Sequence, residues 1–246
     1  MSLLEQFVDI IYPPRCVVCM RFLWKAPLTK KSDSLSFCPD CLADFRHIAS
    51  PLCPVCGAPF TSEVKEDHLC EDCLRKRPFY EATFAPYRYE GAILTAIHRL
   101  KYGSKSFLAE ALGPLLARFM ESRFRESGDL LTVPVPLHPK RMRERGFNQS
   151  LLLARYVARG VSADLDFLSL KRVRYTLPQT RLAKKERQKN VRGAFQLKNR
   201  EAIEGKTILL VDDVITTGNT LNECARILKK GGAGKVFGVS LARAVR

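Results

Sequence analysis

Two carboxylates followed by a hydroxyl-rich loop stand near the end of the chain, in Thr207-Ile208-Leu209-Leu210-Val211-Asp212-Asp213-Val214-Ile215-Thr216-Thr217-Gly218-Asn219-Thr220. Ile208 to Val211 is a continuous apolar run, as expected of a strand buried on both faces of a parallel sheet. The acids sit where that strand should end. Behind the loop, Leu221, Cys224, Ala225 and Leu228 fall at i, i+3, i+4 and i+7, marking a helix that Gly231-Gly232 closes. A strand–loop–helix turn aims free backbone N–H groups at an anion. Gly218 permits a positive φ or a close backbone approach. Thr216, Thr217 and Thr220 add hydroxyl donors, which suits a phosphate better than a bare carboxylate. The adjoining acids would repel a phosphate unless they face a sugar diol or a magnesium ion. A phosphate beside a diol describes a ribose 5-phosphate.

A second chemistry lies in the first third of the chain. Eight of the nine cysteines form four C-x-x-C pairs: Cys16/Cys19, Cys38/Cys41, Cys53/Cys56 and Cys70/Cys73. Each pair points two thiolates at one centre, and two pairs complete a closed tetrahedral zinc site. Gaps of 18 and 13 residues within successive doublets suit two sequential zinc ribbons, with an interleaved pairing of the first and third pairs as the alternative. Four sulfur ligands leave no open coordination position, so the two zinc ions are expected to be structural. A segment this short and polar buries little core, and the metal should supply much of its folding energy. His68 is a spare ligand candidate with a surface role favoured. Cys224 belongs to the apolar face of its helix.

Charge is unevenly placed. The formal net charge is +16. Residues 1–80 hold 10 Lys+Arg and 10 Asp+Glu, so the excess lies entirely beyond them. Residues 138–200 alone carry 17 basic against 4 acidic side chains, which implies a polyanionic partner: phosphate, pyrophosphate or nucleic acid. No run approaches a membrane span. The N-terminal Glu5 and Asp9, without a basic flank, do not suit a secretory signal, and a cytoplasmic protein is expected.

The elements that must position these groups alternate between strand and helix, which predicts an α/β fold. A helix over Leu3 to Ile11 is expected to stop at Pro13-Pro14. Arg75 to Pro78 reads as a linker, dividing a domain over 1–78 from one over 79–246. Ala82 to Tyr89 predicts a strand or one arm of a hairpin. Ile93, Leu94, Ile97 and Leu100 mark a helix, and Leu108 to Phe119 another, kinked or restarted at Pro114. Leu130 to Val133 predicts a buried strand. The loop 138–149 that follows holds Lys140, Arg141, Arg143 and Arg145 and leads to a helix capped by Asn148. Asp166 to Val173, Ala194 to Leu197 and Lys235 to Leu241 complete the strands. Residues 174–192 form a long basic segment of the kind that serves as a lid.

The string around Asp212 resembles the phosphoribosyl pyrophosphate (PRPP) motif of type I phosphoribosyltransferases. The four C-x-x-C pairs, Arg145-Gly146-Phe147-Asn148-Gln149, Arg187-x-x-Asn190-Val191 and Ala194-Phe195 extend the likeness to the ComF/GntX family over essentially the whole chain. A receiver domain, which also pairs acids after a strand, would need far more than the 33 residues left after Asp213. The resemblance implies a type I phosphoribosyltransferase-like parallel sheet behind a double zinc ribbon. It implies that Asp212 and Asp213 are the catalytic pair on the ribose 2′- and 3′-hydroxyls, with Asp213 alternatively an acid/base. Thr216, Thr217, Gly218, Asn219 and Thr220 would cradle the 5′-phosphate; Arg143, Arg145 and, more weakly, Lys101 would meet pyrophosphate. Implied with these are magnesium with PRPP, a role in natural competence or DNA use, and competence-machinery partners. The alternative is a non-catalytic single-stranded-DNA-binding adaptor with PRPP as a switch. The basic segment has little aromatic interleaving, so base stacking is weakly supported and phosphate tracking better so.

Overall fold

The computed structural model describes residues 13–23, 36–60, 65–102, 105–124, 128–176 and 190–245. The expected helix over Leu3 to Ile11, Trp24, and the basic residues from Arg181 to Lys189 lie outside the described residues. Six parallel strands form the main sheet: β1 (Ala82–Phe84), β2 (Tyr87–Arg88), β3 (Leu130–Pro134), β4 (Asp164–Leu165), β7 (Thr207–Ile215) and β8 (Lys235–Arg243). They run in the order β1-β8-β7-β3-β4, with β2 also on β8. A separate antiparallel pair joins β5 (Leu170–Arg172) to β6 (Phe195–Leu197).

The central strand β7 carries the fold. Ile208, Leu209, Leu210 and Val211 are buried, as a strand covered on both faces requires. Leu209 and Val211 face the apolar cluster that contains the helices α3 (Gly91–Tyr102), α4 (Leu108–Phe124) and α6 (Gln149–Gly160). Ile208 and Leu210 face the cluster with α7 (Asn219–Lys230). The α7 face is the one expected, since Leu221, Cys224, Ala225 and Leu228 are all buried. Helices α4 and α6 approach so closely that a Cβ on Gly113 would fall 2.2 Å from the Tyr156 ring. Helix α4 continues through Pro114 rather than restarting there.

Several boundaries depart from the sequence reading. β7 runs past Val211 to Ile215, so the acid pair lies within the strand, not beyond its end; buried Val214 and Ile215 extend the pairing with β8. Ala82 to Tyr89 is two short strands broken at Ala85-Pro86, both parallel to β8, because proline cannot donate to the ladder. It is no hairpin. Asp166 to Val173 is not one strand. The Asp166 carboxylate accepts from the Leu168 and Ser169 amides, an Asx-type turn that ends β4 and redirects the chain into β5. Phe195–Leu197 pairs with β5, not with the main sheet. Within the loop 138–149, the short helix α5 (Pro139–Arg145) starts at proline and ends at left-handed Gly146, as those residue types favour.

Arg75, read as the start of a linker, ends the short helix α2 (Glu71–Arg75). The two cysteine-rich ribbons pack against the sheet. The first places Cys16, Val18, Phe37, Cys38 and Phe45 in one core cluster, and the second places Cys53, Val55, Cys56 and Cys73 in the other. Arg46 and Ile48 exchange backbone bonds with Arg88 and Pro86 at the edge of the sheet. The Thr83 amide donates to the Val55 carbonyl at 2.8 Å and its hydroxyl to the Cys56 carbonyl at 2.7 Å. Asp44 of the first ribbon accepts the Ala92 amide at 2.7 Å and so caps α3 from another part of the chain. Asp44→Ala is expected to destabilise the protein by about 1 kcal/mol, the usual worth of a helix cap, in urea unfolding monitored by far-UV circular dichroism. An unchanged midpoint would show that the cap contributes nothing.

Candidate functional site

Asp213 is buried and Asp212 half-buried, and both are engaged. Asp213 accepts the Lys101 ammonium on Oδ1 at 2.9 Å and the Gln149 side-chain amide on Oδ2 at 2.9 Å. Asp212 accepts the Ser150 hydroxyl at 3.0 Å and the Asp213 amide at 2.9 Å on Oδ1. Each partner arrives for a local reason. Lys101 ends α3, where a cation suits the dipole. Gln149 and Ser150 open α6, whose N-cap Asn148 binds the Ser150 amide with Oδ1 and the Val135 carbonyl with Nδ2. The helix start is thereby tied to the end of β3 and aimed at β7.

Burial first, then the neighbouring Asp213 charge, pushes the Asp212 carboxyl up to about 7; Lys101 and the hydrogen bonds from Asp213 and Ser150 pull the other way. Burial works against the Lys101 ammonium, but the Asp213 carboxylate outweighs it and holds the pKa above the ordinary lysine value.

Beyond β7, Gly218 has φ +74° and is the N-cap of α7, with no side-chain cap bond to the helix amides. A helix N-terminus of this kind suits an anion. Thr217 Oγ1 accepts the Asn219 amide at 3.5 Å, curling the loop, and a Cβ on Gly218 would come within 3.1 Å of the Tyr80 hydroxyl. The expected strand–loop–helix order is present, with Thr216, Thr217 and Gly218 between β7 and α7 and Asn219 and Thr220 opening the helix.

Of the expected basic residues, Lys101 lies at the acid pair, while Arg143 and Arg145 lie on α5; Arg143 is exposed and Arg145 half-buried. Arg145 sits over the Tyr102 ring at 5.2 Å, and Lys140 and Arg141 over the Tyr175 ring at 5.0 and 5.5 Å. Spatial folding therefore interleaves cations and aromatics more than the linear sequence suggests. Phe167, read as a strand residue, is 48% exposed between β4 and β5. Arg174 donates to the carbonyls of Asn190 and Arg192, clamping the two ends of the basic segment. Gln149, Ser150 and Tyr80 were missed as site residues. The available signal was two polar residues at a capped helix start, directly behind Asn148.

The sulfurs of Cys16, Cys19, Cys38 and Cys41 form one cluster and those of Cys53, Cys56, Cys70 and Cys73 another, each within 4.8 Å of one another. Pairing is sequential. The 3.6 Å separations of Cys19 from Cys38 and of Cys56 from Cys70 approach the roughly 3.8 Å edge that tetrahedral Zn–S bonds of about 2.3 Å demand. Although burial opposes it, backbone N–H groups lower the thiols of Cys16 to about 6 and Cys53 to about 7. Burial and the other thiols drive Cys41 and Cys73 far upward. One easy thiolate per cluster, with others that need a cation, fits two zinc ions.

Because the folded Asp212 pKa lies above the unfolded value near 3.8, the native state binds the extra proton between those values. Stability then falls as pH rises through that window, by at most about 1.4 kcal/mol per pH unit, and the penalty is complete above pH 7. Asp212→Asn should flatten the decline between about pH 4 and 7 in urea titrations. Parallel wild-type and variant profiles would contradict the shift.

Residues 7–74 match the double zinc ribbon domain and residues 148–244 the phosphoribosyl transferase domain. The DNA utilization protein YhgH of Escherichia coli K12 is 36% identical over 75% of this chain and 81% of its own. Competence protein F of Haemophilus influenzae is 30% identical over 94% of this chain and 97% of its own. Among solved structures, glutamine PRPP amidotransferase from B. subtilis, complexed with ADP and GMP, is 20% identical over 58% of this chain with a TM-score of 0.39. This chain spans only 30% of that protein. With both domains in this order and relatives matched nearly end to end, the chain belongs to the ComF family of double-zinc-ribbon phosphoribosyltransferase-domain proteins.

Proposed function

We propose that this protein binds PRPP with magnesium at the carboxyl end of β7 and acts as a magnesium-dependent phosphoribosyltransferase serving DNA uptake, natural transformation or DNA use in the cytoplasm. The observation that carries this reading is two unlike half-sites on one turn. A half-buried and a buried carboxylate side by side suit a ribose diol, and a left-handed glycine behind them opens a helix N-terminus that suits a phosphate. The names of its relatives, which concern competence and DNA utilization, supply the biological setting, with competence-machinery proteins as partners. No described helix is long and apolar enough to cross a membrane.

Asp212 and Asp213 then take the ribose 2′- and 3′-hydroxyls, and Thr216 to Thr220 the 5′-phosphate. Arg143 and Arg145 on α5 take the pyrophosphate. Lys101 holds Asp213 in an ion pair until the ribose hydroxyls replace it and then faces the leaving group. The carboxylate oxygens suit a hard cation, but both oxygens of Asp213 are already engaged, so magnesium would enter with PRPP and be held partly by Asp212. When bound, it offsets the charge developing on pyrophosphate.

A second reading, a single-stranded-DNA adaptor with PRPP as its regulatory ligand, is favoured by the cation–aromatic sets at Tyr102 and Tyr175. Tyr102 is 65% exposed and Tyr175 37%. Bases could stack on such rings while the guanidinium groups track phosphates.

Phosphorus NMR of PRPP with magnesium and zinc-loaded protein, with and without single-stranded DNA, tests both. Accumulating pyrophosphate that an Asp212→Asn/Asp213→Asn variant abolishes supports the enzyme. PRPP signals that shift without consumption support the adaptor, and no interaction rejects both. Under the adaptor reading, Tyr102→Ala and Tyr175→Ala should each weaken DNA binding by about 1–3 kcal/mol in fluorescence anisotropy. Wild-type affinity in both variants would remove base stacking.

A further inference from the structure

Arg243 ends β8 opposite Ile215, the residue before the phosphate loop. It is only 6% exposed, and its Nε and Nη1 have no hydrogen-bond partner among the described residues. Removing a guanidinium from water without a partner costs several kcal/mol or more, so a compensating negative charge belongs nearby. No carboxylate pairs with it among the described residues. The Cys56 thiol and the buried Tyr80 hydroxyl both lie within electrostatic reach of its guanidinium. Cys56 and Tyr80 share the core cluster that holds Cys53, Cys73 and Ile215.

Four thiolates around one divalent zinc ion retain net negative charge after the metal is bound. In the second ribbon that charge is buried: Cys53, Cys56 and Cys73 are at most 8% exposed. The first ribbon differs. Of its nearby guanidinium groups, Arg21 is exposed and already paired with Asp40, and the half-buried Arg99 donates to the Val17 carbonyl. Among the described residues, Arg243 is thus a buried cation with no carboxylate partner, within electrostatic reach of a buried metal centre that keeps anionic charge.

We infer that Arg243 is the counter-ion of the second zinc centre and that this pairing makes the order of the loop 216–220 depend on metal in that centre. Tyr80 carries the second half of the link, since it lies among the ribbon cysteines and packs its hydroxyl against Gly218. When the second centre loses its metal, Arg243 and Tyr80 lose the charge and packing that hold them.

The test is chelator challenge of the full-length, zinc-loaded protein with timed alkylation, peptide mapping of each cysteine, and hydrogen exchange of 216–220. Arg243→Met keeps the bulk and removes the charge. It should release metal from Cys53, Cys56, Cys70 and Cys73 about 10–100-fold faster, the usual effect of removing an outer-shell partner. Release from the first four cysteines should be unchanged. Exchange in 216–220 should rise as the second centre empties, in wild type as in the variant. If Arg243→Met does not fold, Arg243→Lys, which keeps the charge without the planar fork, should lose the second metal only modestly faster than wild type. Labelling of the second four cysteines at the wild-type rate in Arg243→Met would overturn the counter-ion assignment, as would a 10–100-fold loss in Arg243→Lys. Loop exchange indifferent to that metal would overturn the coupling. None of these readouts requires PRPP to bind.

Discussion

A pair of carboxylates inside a buried strand is the constraint to which the rest of the molecule answers. Side by side in β7, Asp212 and Asp213 repel each other and lack bulk water, and burial with that repulsion lifts the Asp212 carboxyl to about 7. The fold tolerates them by delivering one ammonium, one amide and one hydroxyl from two different helices. Removing one member of such a buried pair typically costs about 3–5 kcal/mol, so Lys101 contributes to stability as well as to the site. A ligand diol would exchange these internal hydrogen bonds for its own. The site is charged and pre-organised before any ligand arrives, as electrostatic catalysis requires.

Both metal ribbons support this arrangement, from opposite faces of the sheet. Asp44 of the first ribbon caps the N-terminal end of α3, and the other end of that helix presents Lys101 to Asp213. The second ribbon is joined to β1 through Thr83, and Tyr80 just before β1 meets the loop at Gly218. Apparent zinc-binding energies on the order of 10 kcal/mol exceed what so little apolar surface could provide. Metal binding therefore fixes two short segments that in turn fix the two halves of the site.

The parts visible in the sequence were those with local causes. The apolar run 208–211, the face of α7 and the glycine at 218 follow from periodicity and φ preference, and each is where the residues predict. Sequential pairing of the cysteines was the leading arrangement and is the observed one. The parts not visible depend on contacts across the chain. That β7 continues through its acids depends on pairing with β8, and the turn at Asp166 depends on one carboxylate choosing its own backbone. Gln149 and Ser150 carry no apolar signal, so only the docking of α6 on β7 reveals them. The aromatic rings among the cations at Tyr102 and Tyr175 come from segments far apart in sequence.

Calorimetric titration of magnesium-PRPP into the zinc-loaded protein, in parallel with the Asp212→Asn/Asp213→Asn variant, addresses the ribose-phosphate site without assuming turnover. The account predicts one binding event per chain in the wild type, competed by ribose 5-phosphate and lost in the variant. Undiminished binding by the variant, or no heat from the wild type, would contradict it.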